Sequence, residues 1–128
     1  MRKENTLSHI VTIKTEVRDP VALGIACDRM KLPPPQLGEH RLFQRSVTGL
    51  GVSLREWRYP VVCQCQTGQL FFDNFEGRWG QREELDKLLQ AYAIEKARLE
   101  ARKRGHSVIE QSLPDGAVKL TIEVGGAA

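Results

Sequence analysis

Residues 81–104 contain neither proline nor glycine, and Gly105 follows them. Leu85, Leu88, Leu89, Tyr92 and Leu99 fall on one stripe when the chain turns by about 100° per residue. Glu83, Glu84 and Asp86 stand where a helix dipole is positive, and Arg102, Lys103 and Arg104 where it is negative. Gly105 can take the left-handed conformation that closes a helix. Glu83 with Lys87, and Glu100 with Arg104, stand in the favourable i,i+4 order. The segment therefore predicts one long helix. The rest of the chain must supply a surface for its apolar stripe.

The opposite side of that helix carries Ile94, Ala97 and Ala101. A solvated side is ordinarily charged, so these residues mark a second contact, with a neighbouring loop or with another subunit. The plainer reading is that alanine is the best helix former. Lys96 and Lys103 fall on the leucine side, where their stems can lie on apolar surface while the charges reach water.

Residues 8–17 alternate, with His9, Val11, Ile13, Thr15 and Val17 on one side, which predicts a half-buried strand. Asp19-Pro20 opens a helix with a capping carboxylate and a proline in the first turn. Ala22, Leu23, Ile25, Ala26 and Met30 give that helix an apolar face, and Pro33, Pro34 and Pro35 end it. Short strands are expected over 40–43, 50–55, 61–65 and 70–72, with Thr67-Gly68 as a tight turn. After the long helix, Pro114-Asp115-Gly116 separates two apolar arms, a hairpin signal. Val118, Leu120, Ile122 and Val124 form the expected buried face of that hairpin. The order β-α-β-β-β-β-α-β-β predicts an α+β fold, a mostly antiparallel sheet with two helices packed on one face. The chain divides into a frayed extension (1–7), one α+β domain (8–124) and a flexible tail (125–128).

Apolar residues at 41% and charged residues at 27% fit an ordinary globular chain. A net charge of +3 is too slight to argue nucleic-acid binding by itself. No apolar run approaches the roughly 20 residues of a membrane span, and the N-terminus lacks the core of a secretory signal. Three cysteines do not make a disulfide framework, so a reducing cytoplasm is the expected compartment.

Cys63 and Cys65 share a strand side and could ligate metal with Cys27, but C-x-C is not the C-x-x-C spacing of zinc or redox sites. Their parity with Val61 makes them small core residues. Ser8 and His9 are neighbours on a strand and point to opposite sides, which does not suit a nucleophile and its base. Arg98, Arg102, Lys103, Arg104 and His106 could touch phosphates, together with Arg41, Arg45, Arg55, Arg58, Arg78 and Arg82 interleaved with Trp57, Tyr59 and Trp79. Dipole complementarity and the interspersed Glu56, Asp73, Glu76 and Glu83 offer a structural account of the same residues. Residues 73–80, with Arg78 and Trp79, join the sheet to the long helix, and Trp79 either plugs that junction or faces a partner. The chain has no phosphate-loop, dinucleotide or H-E-x-x-H motif.

Ser8-His9-Ile10-Val11-Thr12-Ile13-Lys14-Thr15-Glu16-Val17-Arg18-Asp19, Arg58-Tyr59-Pro60-Val61-Val62, Gly77-Arg78-Trp79-Gly80, Gln90-Ala91-Tyr92-Ala93 and the run from Asp115 to Val124 resemble a bacterial family. It is known as domain of unknown function 1257 and is related to the hypothetical reading frame 35 proteins of chloroplasts and cyanobacteria. The likeness spans about residues 8–124, and residues 1–7 then precede the family's usual start. The resemblance carries no catalytic residue and implies an AAA-type ATPase as a neighbour and partner. The sequence therefore leans toward a non-catalytic, cytoplasmic accessory domain without cofactor or metal. It would self-associate through sheet edges or the Ile94/Ala97/Ala101 side. A modestly basic nucleic-acid-binding protein is the alternative. A small enzyme using His9, or Asp73 with Arg78, comes third.

Overall fold

Caps and alternation set the element ends within residues 10–125, the part of the chain described by the computed structural model. β1 (Val11–Lys14) leads into α1 (Pro20–Arg29), and four strands follow: β2 (Gln36–Arg41), β3 (Ser46–Val52), β4 (Val61–Gln64) and β5 (Gln69–Phe72). The long helix α2 (Arg82–Lys103) precedes β6 (Ser107–Ser112) and β7 (Val118–Glu123). The fold is α+β, in the order that the periodicities predict. The expected extension 1–7, Ser8, His9 and residues 126–128 lie outside the described residues.

The Asp19 side chain accepts from the amides of Val21 and Ala22, and Pro20 occupies the first turn of α1. Met30 caps α1 well before the prolines, and Lys31 takes a left-handed φ of 60°. The amide of Leu32 then donates to the Cys27 carbonyl, so the stop is a C-terminal cap rather than the prolines themselves. At the far end of α2, Gly105 has φ 75° and the amide of His106 donates to the Ala101 carbonyl. That closes α2 as its sequence predicts.

The five-stranded sheet is antiparallel in the order β1-β5-β4-β3-β2, while β6 and β7 pair only with each other. One face of the sheet offers Val52, Val61, Cys63, Leu70 and Phe72, with Ile13 and Leu50 at its margins. Against it lie Ala22, Leu23, Ala26 and Cys27 of α1, and Leu85, Leu88, Ala91 and Tyr92 of α2. Both helices thus cover one face, as the leucine stripe requires. The other face holds a smaller cluster of Leu42, Val47 and Val62, flanked by Ile10, Tyr59 and Phe71.

Several details differ from the sequence reading. β1 is shorter than 8–17 in its described part, because the chain turns away after Lys14 toward the cap at Asp19. β2 begins at Gln36, so Phe43 lies in the following turn rather than in the strand. Cys65 leaves β4 for the turn in which the amides of Thr67 and Gly68 donate to the Gln64 carbonyl. Gly68, at φ 81°, lies so close to the Thr15 carbonyl that a Cβ there would overlap it. On α2, Lys87 bonds Glu84 rather than Glu83, and Glu100 bonds Lys96 and Lys103 rather than Arg104. The expected buried face of the last hairpin is only half covered: Ile122 is 46% and Val124 78% exposed. The reason is that β6 and β7 form a separate ribbon and have no helix layer reaching across all of β7.

Candidate interaction surfaces

Cross-strand partners share a side of a ribbon. Val108, Glu110 and Ser112 of β6 therefore lie on the same side as their partners Ile122, Leu120 and Val118. Glu110 meets Arg29 of α1 and Arg98 of α2, so this side is turned toward the helices. Arg29 also bonds Glu95 at 2.8 Å, which binds α1, α2 and β6 into one cluster of two cations and two carboxylates. The Gln90 side chain donates to the Gly116 carbonyl and holds the tip of the ribbon. Beneath it, Ile94 and Ala101 are 5% and 4% exposed. Ile94 lies near Val118 of the hairpin, and Ala101 is buried beside the C-terminal turn of α2, where its carbonyl accepts from the His106 amide. Ala97 is not brought to that contact.

Ala97 lines an open groove of about 860 Å³ between α2 and the segment joining β1 to α1. Its floor is apolar, with Val17, Leu89, Tyr92 and Ala93, and its rim alternates in sign, with Lys14, Glu16, Arg18, Asp19, Lys96 and Glu100. Lys96 reaches Asp19 at 3.0 Å and Glu100 at 2.9 Å. Both carboxyls raise the pKa of Lys96. In turn, the Lys96 ammonium holds the Asp19 and Glu100 carboxyls below their ordinary values. The Tyr92 hydroxyl accepts from the amides of Arg18 and Asp19 at 3.1 and 3.0 Å.

Trp79 lies in a cluster of loop aromatics, with ring centroids 5.0 Å from Phe43, 5.6 Å from Tyr59 and 4.7 Å from Phe75. The Arg58 guanidinium is 5.0 Å from the Trp79 ring, and that of Arg78 is 4.8 Å from Phe75. The cluster requires an unusual backbone, since Phe75, Glu76 and Gly77 all have positive φ (46°, 54° and 97°). Asp73 supports it by accepting the Phe75 amide through Oδ1, while its buried Oδ2 has no hydrogen bond. The plug of the helix–sheet junction is Trp57: its Nε1 donates to the Gln81 carbonyl, its ring meets Phe72 at 5.7 Å, and Gly80 leaves room for it. Nothing at the sequence level separated the two tryptophans. The signal that could have done so is Gly80, the small residue against which Trp57 packs.

The basic end of α2 is largely committed to internal pairs. Arg98 faces Glu95 and Glu110, and Lys103 faces Glu100, which leaves Arg102 and Arg104 exposed. His106 lies beside Arg98 and Arg102, and its Nδ1 accepts from the Gly125 amide. Arg55, Arg58, Arg78 and Arg82 do not join this end of the helix. They bind Glu84, the loop aromatics, and Asp86 with the Phe72 ring. His40 lies against Gly51, with Nε2 2.7 Å from the Gln36 carbonyl. Asp73 accepts from the Phe75 amide and the Arg78 guanidinium lies over the Phe75 ring, so both serve the same turn. His9 lies outside the described residues.

Cys27 and Cys63 are buried, and burial pushes their thiols up to about 11 and about 12. Burial also raises Cys65. All three are protonated thiols near neutrality and poor nucleophiles. Among the described residues no group of three or more histidine, cysteine or acidic side chains could hold a metal ion. No helix among them is long and apolar enough to cross a membrane.

Ion pairs at the ribbon and at the groove rim set a pH response. Hydrogen bonds from Arg29 keep the Glu110 carboxyl below its ordinary value, and Lys96 does the same for Asp19 and Glu100. A carboxyl whose folded pKa is depressed stabilises the fold above its unfolded value, and that contribution is lost as pH falls through the folded pKa. The urea midpoint is therefore expected to hold from neutrality to about pH 5 and to decline below about pH 4. Glu110→Gln should lower the neutral plateau and flatten that decline. An unchanged acid limb in this variant would show that the Arg29 contact adds nothing.

A scan against protein-family models, a search of curated proteins and a search of solved structures return no match.

Proposed function

We propose that this chain works by docking rather than by catalysis, as a cytoplasmic accessory protein that self-associates and holds a protein partner. The observation that carries the reading is the ribbon: Ile109 is 52%, Ile122 46% and Val124 78% exposed on a hairpin whose outer edges have no strand partner among the described residues. Exposed apolar side chains beside unpaired backbone groups favour strand addition by another chain. The resemblance to the domain of unknown function 1257 family adds an AAA-type ATPase as the partner to test. Light scattering after size exclusion should give twice the monomer mass, and the native tagged protein should bring the ATPase with it. A monomer that retains no partner overturns the reading.

A second reading, nucleic-acid binding, is favoured by the stacking of Arg58 on Trp79 and of Arg78 on Phe75. Salt titration with a mixed-sequence single strand discriminates the two readings. Phosphate contacts weaken steeply with salt, and Arg58→Ala with Arg78→Ala should then reduce the slope. Binding that is absent at low salt excludes this alternative.

A further inference from the structure

We propose that β7 is the contact between two copies of this chain, paired antiparallel with its own mate about a two-fold axis at Thr121. The inference rests on the self-association reading above and names the surface responsible.

From Val118 to Val124 the chain reads Val-Lys-Leu-Thr-Ile-Glu-Val. Laid antiparallel on itself about Thr121, it places Lys119 opposite Glu123 of the second copy, twice over. On the other side the same register places Leu120 against Ile122 and Val118 against Val124. Every apolar residue then meets an apolar residue, and each charge meets its opposite. Cross-strand pairs of this kind stabilise a sheet, while like charges in those positions oppose it. Among the described residues neither Lys119 nor Glu123 enters an ion pair, and Glu123 only accepts from the Ser107 hydroxyl at 3.4 Å. The exposure of Ile122 and Val124 is also accounted for, since the second copy brings Leu120 and Val118 to them.

The other free edges lack this combination of charge pairs and apolar pairs. β1 carries one charge, Lys14, and so has no counter-ion for itself. β2 could set Glu39 against Arg41 about His40, but it carries one large apolar side chain, Leu37, which that register leaves without a counterpart in the strand. The single charge of β6, Glu110, is already held by Arg29 and Arg98. Among these strands β7 alone brings opposite charges together and apolar side chains together in one register. Two ribbons would become one four-stranded sheet, β6-β7-β7-β6, with an interior β7 pair in place of two open edges.

Charge reversal tests the register on the intact chain, because both charged side chains are exposed. Lys119→Glu alone sets Glu against Glu at both ends, and Glu123→Lys alone sets Lys against Lys. Each should raise the dimer dissociation constant about tenfold in concentration-dependent light scattering. Mixing the two variants, or combining both changes in one chain, restores every pair and should restore the wild-type constant. Thr121→Cys should cross-link to its own mate on oxidation, since directly opposed strand residues lie within disulfide reach. Gln111→Cys, on β6, should not. A wild-type dimer that neither responds to the reversals nor cross-links at position 121 overturns this register while leaving self-association intact. A monomer at every concentration overturns both.

Discussion

Leu88→Ala is expected to lower stability by about 2–5 kcal/mol, the range for removing a buried leucine and leaving a partly collapsed cavity. Leu88 is 1% exposed and packs in the cluster that joins α2 to α1 and to the helix-facing side of the sheet. The urea midpoint should fall with little change in the denaturant slope, because the surface exposed on unfolding is almost the same. The size of the loss reports how rigidly Leu85, Tyr92 and Phe72 hold their places around the void. An unmoved midpoint would mean that the leucine stripe is not the centre of the core.

Tyr92→Phe removes a single oxygen and opens no cavity, yet a loss of about 1–3 kcal/mol is expected. The hydroxyl is the acceptor for two backbone amides, Arg18 at 3.1 Å and Asp19 at 3.0 Å, where the chain turns from β1 into α1. Without it those donors face an apolar ring edge, and an unmet donor out of water costs more than its bond contributes. Asp19 also caps α1 and meets Lys96, so the loss should reach the helix start. Amide exchange at Val21 and Ala22 should rise before exchange in the middle of the sheet. A wild-type melting curve for this variant would show that water replaces the hydroxyl without penalty.

The helices and the antiparallel meander were legible because their signals are local. Asp19-Pro20, the uninterrupted run before Gly105, and Pro114-Asp115-Gly116 each act within a turn or two. Tyr92 was legible as part of the apolar stripe, but its hydroxyl was not, because the amides it serves are 73 and 74 residues away. The same distance problem concealed the Arg29–Glu110 contact, which joins positions 81 residues apart. Of Ile94, Ala97 and Ala101, the first and last are buried within this chain, and Ile94 lies near Val118 of the ribbon, a proximity that no local spacing signals. Trp79 and Trp57 differ only in their partners across the fold, and those partners come from loops with no periodicity. Residue type marked the candidates. Pairing over distance decided what each one does.

The sheet order carries a consequence for the way the molecule is made. Strands β2 to β5 each pair with the next in the chain, whereas β1 pairs with β5, and Thr15 meets Gly68 across a separation of 53 residues. During synthesis the meander can zip up strand by strand, but β1, which pairs with β5, is made before its partner exists. Its amides stay with water until the fifth strand emerges, and Tyr92, which fixes the turn behind it, emerges later still. β1 is thus made ahead of its partner and joins, as an edge stave, a meander that can already stand beside it.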